Sequence, residues 1–199
     1  MAAGGGTPVE KRLVELLHEL GLLKRVRRSG WWVAGIKDPE SVADHCFRTV
    51  AVAWLLATLE GADVEKATGM ALFHDMTETR TNDPHRLSKA HVDWRAVERK
   101  VLGDQLSGLP GEVASRIRSL LEEYGEGASL EAKVARDADR LECLLQAREY
   151  GSLGVATTRE WIESNRAALV TESAKRLARE CIRSDPDSWW HRPGESKDA

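Results

Sequence analysis

At 199 residues, the chain suffices for one domain with a sizeable core and is short for two. A composition 42% hydrophobic and 31% charged excludes a disordered chain. A net charge of −3, with both signs interspersed, gives no footprint for a nucleic-acid polymer or a membrane surface. No apolar run reaches the roughly 18 residues of a membrane span, and "MAAGGGTPVEK" lacks the basic and apolar regions of a secretory signal. Cys46, Cys143 and Cys181 are scattered and odd in number, which fits a reduced, cytoplasmic protein with small buried thiols.

After a flexible lead over 1–8, "PVEKRLVELLHELGLLKRV" predicts a helix whose buried stripe is Leu13, Leu16, Leu17, Leu20 and Leu23. "RRSGWWVAGIKDPE" breaks that period with Gly30, Gly35 and Pro39 and reads as a loop. Ser41, with Asp44 three positions on, caps a helix to about Glu60. Val42, Val50, Val52, Trp54, Leu55 and Leu56 make that helix apolar on most faces, hence central. Asp63 caps a helix expected to continue through about Thr79. Asn82-Asp83-Pro84 is turn chemistry. Helices are then expected near 89–102, 111–124, 129–150 and 158–183. Residues 184–199 read as a polar tail anchored by Trp189 and Trp190. Period-2 alternation is missing, so the fold class is all-α, a single-domain helical bundle over 9–183.

Some polar residues fit that core poorly. His45 lies near the start of helix 41–60. In "ALFHDMTE", His74 and Asp75 follow an apolar run, and Glu78, four positions after His74, shares its helix face. Asp139 sits beside the apolar stripe Val134, Ala138, Leu141 and Leu145, whereas Asp137 and Arg136 point elsewhere and are expected in solvent. Buried carboxylates need a cation, hydrogen bonds or a proton. Two imidazoles and two carboxylates on three helices suit one divalent ion, Mn, Co, Fe, Zn or Mg, in a site with open positions.

The ordered segments "LKRVRRSGWW", "DPESVADH", "ALFHDMTETRTND" and "EAKVARDADRLECLLQAREY" resemble the HD superfamily of metal-dependent phosphohydrolases. Within it they are most similar to the 5'-deoxynucleotidase branch, over roughly residues 10–150. The resemblance implies that His45, His74, Asp75 and Asp139 ligate the metal, and that Glu78 and Asp83 flank the attacking water. It implies that Arg28 holds the phosphate and that Trp31 crowds the sugar 2' position. It further implies a nucleoside monophosphate substrate and a homodimer. Trp32, Asn82 (where the family commonly has glycine), Pro84 and His85 depart from the family pattern. Alternatives are a di-metal HD oxygenase or phosphodiesterase using His85 and His91, a di- or triphosphate phosphohydrolase, and a helical ligand-binding scaffold without catalysis. No Gly-rich phosphate loop or extra basic cluster favours the longer phosphate chain.

Overall fold

The computed structural model describes residues 7–190 and is helical apart from one isolated bridge between Arg27 and Ser41. Helix α1 spans Pro8–Leu20, with Thr7 and Glu10 forming a full capping box, and a short 3-10 turn succeeds it at Gly21–Lys24. The expected stripe is only partly right. Leu16 and Leu23 are buried, but Leu17 is exposed: Leu13, Leu16 and Leu20 face the core, and Leu17, about 100° round the helix from Leu16, turns away from it. The Gly/Pro-rich segment contains one helical turn, α2 (Gly30–Val33), which buries Trp31 and leaves Trp32 exposed.

Helix α3 (Val42–Glu60) starts at the capping box Ser41–Asp44 and ends on Gly61 at φ 71°. It is the core helix. Val52, Ala53, Leu56 and Ala57 pack with Ala67 and Ala71 of α4 (Val64–Phe73) and with Val134, Ala138, Leu141 and Leu144 of α9 (Leu130–Ser152). The alanines in this contact are fully buried and let the backbones approach closely. By length and composition α3 could cross a membrane, contrary to the sequence reading, yet it carries this core. Its other face is open: Trp54 and Leu55, expected inside, are about half exposed, as is Leu59, and Phe47 is more so.

The helix expected from Asp63 to Thr79 stops at Phe73. Turns over His74–Thr77 lead into a separate turn of helix, α5 (Glu78–Thr81). The His74 ring donates through Nδ1 to the Ala71 carbonyl at 2.8 Å, closing the end of α4 with a side chain. Short α6 (Arg86–Lys89) is succeeded by α7 (Trp94–Leu106), which begins at the Asp93 cap, later than the sequence suggests. Helix α8 (Gly111–Glu126) ends on Gly127 at φ 68°.

The single helix expected over 158–183 is two, α10 (Arg159–Ala168) and α11 (Glu172–Arg183). No Gly or Pro breaks it. The break is tertiary: Asp137, expected in solvent, is fully buried and accepts the backbone N–H groups of Val170 and Thr171 at 3.0 and 2.6 Å, and the Thr171 hydroxyl at 2.8 Å. Trp189 and Trp190 stack edge-on against each other and are largely exposed, so they do not anchor the tail. The lead over 1–6 and the tail over 191–199 lie outside the described residues.

Candidate metal centre and its cavity

Three mutually packed helices bring four side chains together. His45 comes from the first turns of α3, His74 and Asp75 from the end of α4, and Asp139 from the middle of α9. His45 Nε2 lies 3.3 Å from His74 Nε2, 3.2 Å from Asp139 Oδ1 and 3.7 Å from Asp75 Oδ2. His74 Nε2 lies 3.2 Å from Asp75 Oδ2 and 4.0 Å from Asp139 Oδ1. His45, His74 and Asp139 thus place donor atoms within 4.8 Å of one another, and Asp75 joins them through the two imidazoles.

The donor set fits a cation. Each imidazole donates through Nδ1, His74 to the Ala71 carbonyl and His45 to the Glu142 carboxylate. Each Nε2 is thus left as the atom able to offer a lone pair. Burial and Arg28 work against a charged His45, but Asp139 and Glu142 outweigh them and raise it to about 10. Burial opposes ionisation of Asp75 and Asp139, yet the histidines hold both well below the usual carboxylate range. Protons thus do here what a divalent ion would do, which is to hold two buried carboxylates against two nitrogens. Cys46 also places a donor within 4.8 Å of those of His74 and Asp75. Burial and Asp75 push its thiol up, leaving the nitrogen–oxygen set as the better one.

A cavity of about 380 Å³ opens beside this cluster and is lined by Asp75, Asp139, Arg28, Trp31, Glu78 and Asp83, among others. Each residue expected to ligate the metal lies in the cluster, and Arg28, Trp31, Glu78 and Asp83 lie on this wall. Arg28 Nη1 is 3.4 Å from Asp75 Oδ2 and 3.2 Å from Asp83 Oδ1. Asp83 is occupied twice over: its Oδ2 accepts the Ser29 N–H at 2.5 Å, and its carbonyl accepts the Ser29 hydroxyl at 2.7 Å. Glu78 is 6% exposed, and its Oε2 has no hydrogen-bond partner among the described residues. Burial, then Asp75 and Asp83, push its carboxyl well up. Glu78 does not sit one helical turn from His74, since the chain turns between them; the fold, not helical spacing, brings it to the wall.

Trp31 is 2% exposed and wedged between Tyr150 and Trp161, with ring centroids 5.2 and 5.7 Å away. Its Nε1–H donates to Glu40 Oε1 at 2.9 Å. Burial and Glu142 raise Glu40 to about 7. Asn82 takes φ 56°, ψ 174°, a conformation suited to glycine, which accounts for the glycine common at that position of the resembled family.

The sequence reading missed Glu142, Arg48 and Glu40, which surround the cluster from behind. The signal was spacing: Glu142 lies three positions after Asp139 on α9, and Arg48 lies three after His45 on α3. A second cleft, of about 630 Å³, opens on the other side of His74, Asp75 and Asp139. It carries Lys89, Arg95, Arg99, Arg136 and Arg140, a grouping not visible in the sequence, but Glu98, Glu122 and Glu126 offset them. His85 lines the first cavity, but neither it nor His91 belongs to any group of donors placed to share an ion among the described residues.

A family model described as HD domain matches residues 20–180. A protein of Xenopus laevis named 5'-deoxynucleotidase HDDC2 is 32% identical over 153 residues, covering 76% of this chain and 76% of that protein. The Homo sapiens protein of the same name is 33% identical over 146 residues, covering 72% and 70%. A solved structure, a conserved hypothetical protein from Pyrococcus furiosus, superposes with a TM-score of 0.73 at 29% identity, covering 86% of this chain and 99% of that one. Fold, site geometry and likeness agree: the chain belongs to the HD domain family.

Proposed function

We propose that the protein is a metal-dependent 5'-nucleotidase that removes the 5'-phosphate from deoxynucleoside monophosphates. The observation that carries this is the convergence of His45, His74, Asp75 and Asp139 at the edge of a cavity whose wall holds Arg28 and Glu78. The curated relatives named 5'-deoxynucleotidase supply the substrate class.

His45, His74, Asp75 and Asp139 would hold one divalent ion. When bound, that ion would polarise a phosphoryl oxygen and acidify a water. Arg28, pinned from behind by Asp83, presents its guanidinium to the phosphate. Glu78 keeps one carboxyl oxygen free of partners, and burial holds its carboxyl in the protonated form, which suits it to give a proton to the leaving 5'-oxygen. Asp83 has its oxygens engaged by Arg28 and Ser29, so it orients the arginine and its loop and leaves the proton to Glu78. Trp31, fixed by Glu40 and two aromatic neighbours, forms a rigid wall for the sugar.

The test is a phosphate-release screen of all deoxyribo- and ribonucleoside monophosphates, with chelator-treated and with Mn- or Co-loaded protein. Turnover of deoxynucleotides only with metal is expected. Release of pyrophosphate or triphosphate from longer nucleotides, with monophosphates untouched, would overturn the assignment.

We also propose that the protein works as a homodimer in the cytoplasm. Phe47, Ala51, Trp54, Leu55 and Leu59 form an open apolar row along α3, with small Ala51 between Phe47 and Leu55 allowing close approach of an antiparallel copy. Three free cysteines suit a reducing compartment. Sedimentation of Phe47→Asp/Leu55→Asp beside the native protein tests the dimer; two monomers would refute it.

A further inference from the structure

The Glu142 side chain is 1% exposed, and both its oxygens are assigned. Oε2 accepts from His45 Nδ1, and Oε1 accepts from Arg48 Nε at 3.0 Å, with Nη2 of the same guanidinium 2.9 Å away as an ion pair. Arg48 is held in turn by Glu149 at 2.5 Å and Gln146 at 2.7 Å. A buried carboxylate without a cation is strongly unfavourable, so the arginine allows Glu142 to stay ionised behind the histidine. The two ring nitrogens differ in partner type. His74 is oriented by a neutral carbonyl from its own helix end, whereas His45 is oriented by a charged carboxylate from another helix. The spacing closes the arrangement: α9 supplies Asp139 and, three positions on, Glu142, while α3 supplies His45 and, three positions on, Arg48.

We propose that Glu142, clamped by Arg48, is a positioning residue for the metal centre. It fixes the His45 ring and its tautomer, so that Nε2 faces the cation with enhanced donor strength. This rests on His45 being a ligand. Second partners of this kind typically govern metal affinity by about 10–100-fold.

The experiment is a cobalt(II) titration of metal-free protein monitored by visible absorption, with native protein, Glu142→Ala, Glu142→Gln, Arg48→Met and His45→Ala. Glu142→Ala should bind cobalt about 10–100-fold more weakly and shift the absorption band. Glu142→Gln keeps an acceptor for Nδ1 and should recover much of the affinity. At saturating cobalt, the Glu142 variants should regain turnover with KM for nucleotide unchanged. Native affinity and an unshifted band in Glu142→Ala, with affinity lost in His45→Ala, would overturn this inference alone. Native affinity in His45→Ala would overturn the metal centre itself. Should Glu142→Ala fail to fold, Arg48→Met carries the test with Glu142→Gln as its control: weakened cobalt binding and a shifted band in Arg48→Met, with Glu142→Gln near native, support the role, and native affinity with an unshifted band in Arg48→Met rejects it.

Discussion

Arg28 and Asp83 are 55 positions apart and meet at 3.2 Å on the cavity wall, one supplying a guanidinium Nη1 and the other Oδ1. Arg28 thereby stays fixed while its remaining N–H groups can address an anion. Lysine offers a point charge and no fork. Arg28→Lys should lower kcat/KM for deoxynucleoside monophosphates by about 10–100-fold, the range of one or two charged hydrogen bonds. Steady-state kinetics at saturating metal would check this, and an unchanged value would remove Arg28 from the phosphate site.

Glu78 sits buried with one oxygen unpartnered. Replacing its carboxyl by an amide keeps the shape and removes the exchangeable proton. Glu78→Gln should cut kcat by about 10²–10⁴-fold, with metal stoichiometry unchanged. Full activity at full metal occupancy would exclude proton transfer by this residue.

Trp31 is gripped by Tyr150, Trp161 and Glu40. Trp31→Phe keeps an aromatic in place while shortening the wall and deleting the bond to Glu40. The ratio of kcat/KM for deoxyribo- over ribonucleotides should fall. The same ratio in both proteins would mean that the sugar is read elsewhere.

Glu40 is raised to about 7 from 4.5 by burial and Glu142. Its folded-state proton is therefore held more tightly than in the unfolded chain. As pH rises from about 4.5 to about 7, the unfolded chain loses its proton first and stability falls; above that window the loss is complete, at most about 3 kcal/mol. Glu40→Gln lacks this loss. In metal-free protein its Tm should exceed the native value at pH 8 and match it near pH 4.5. Parallel Tm curves for the two proteins across that range would contradict the assignment.

Asn82 adopts φ 56°, a backbone strain that glycine would not feel. Asn82→Gly should stabilise the fold by about 1 kcal/mol, read by urea denaturation, with Asp83 still on Ser29. A destabilised variant would mean that the asparagine side chain compensates for the strain.

Local chemistry made much of this protein readable. Capping residues set the starts of α3 and α4, because Ser41, Asp44 and Asp63 act within their own first turns. The ligand types at His45, His74, Asp75 and Asp139 stood out because polar groups embedded in apolar helices need partners. What the chain could not disclose were partners distant in sequence. Asp137 splits α10 from α11 by capturing amides 33 and 34 positions away. The side chain of His74 ends α4, so Glu78 reaches the cavity by a turn and not by helical register. Glu142 gains its role only because the packing of α3 places His45 and Arg48 against it. Residue types and spacing determined which chemistry was possible; burial and cross-helix contacts, which depend on the whole packed chain, decided which groups carry it.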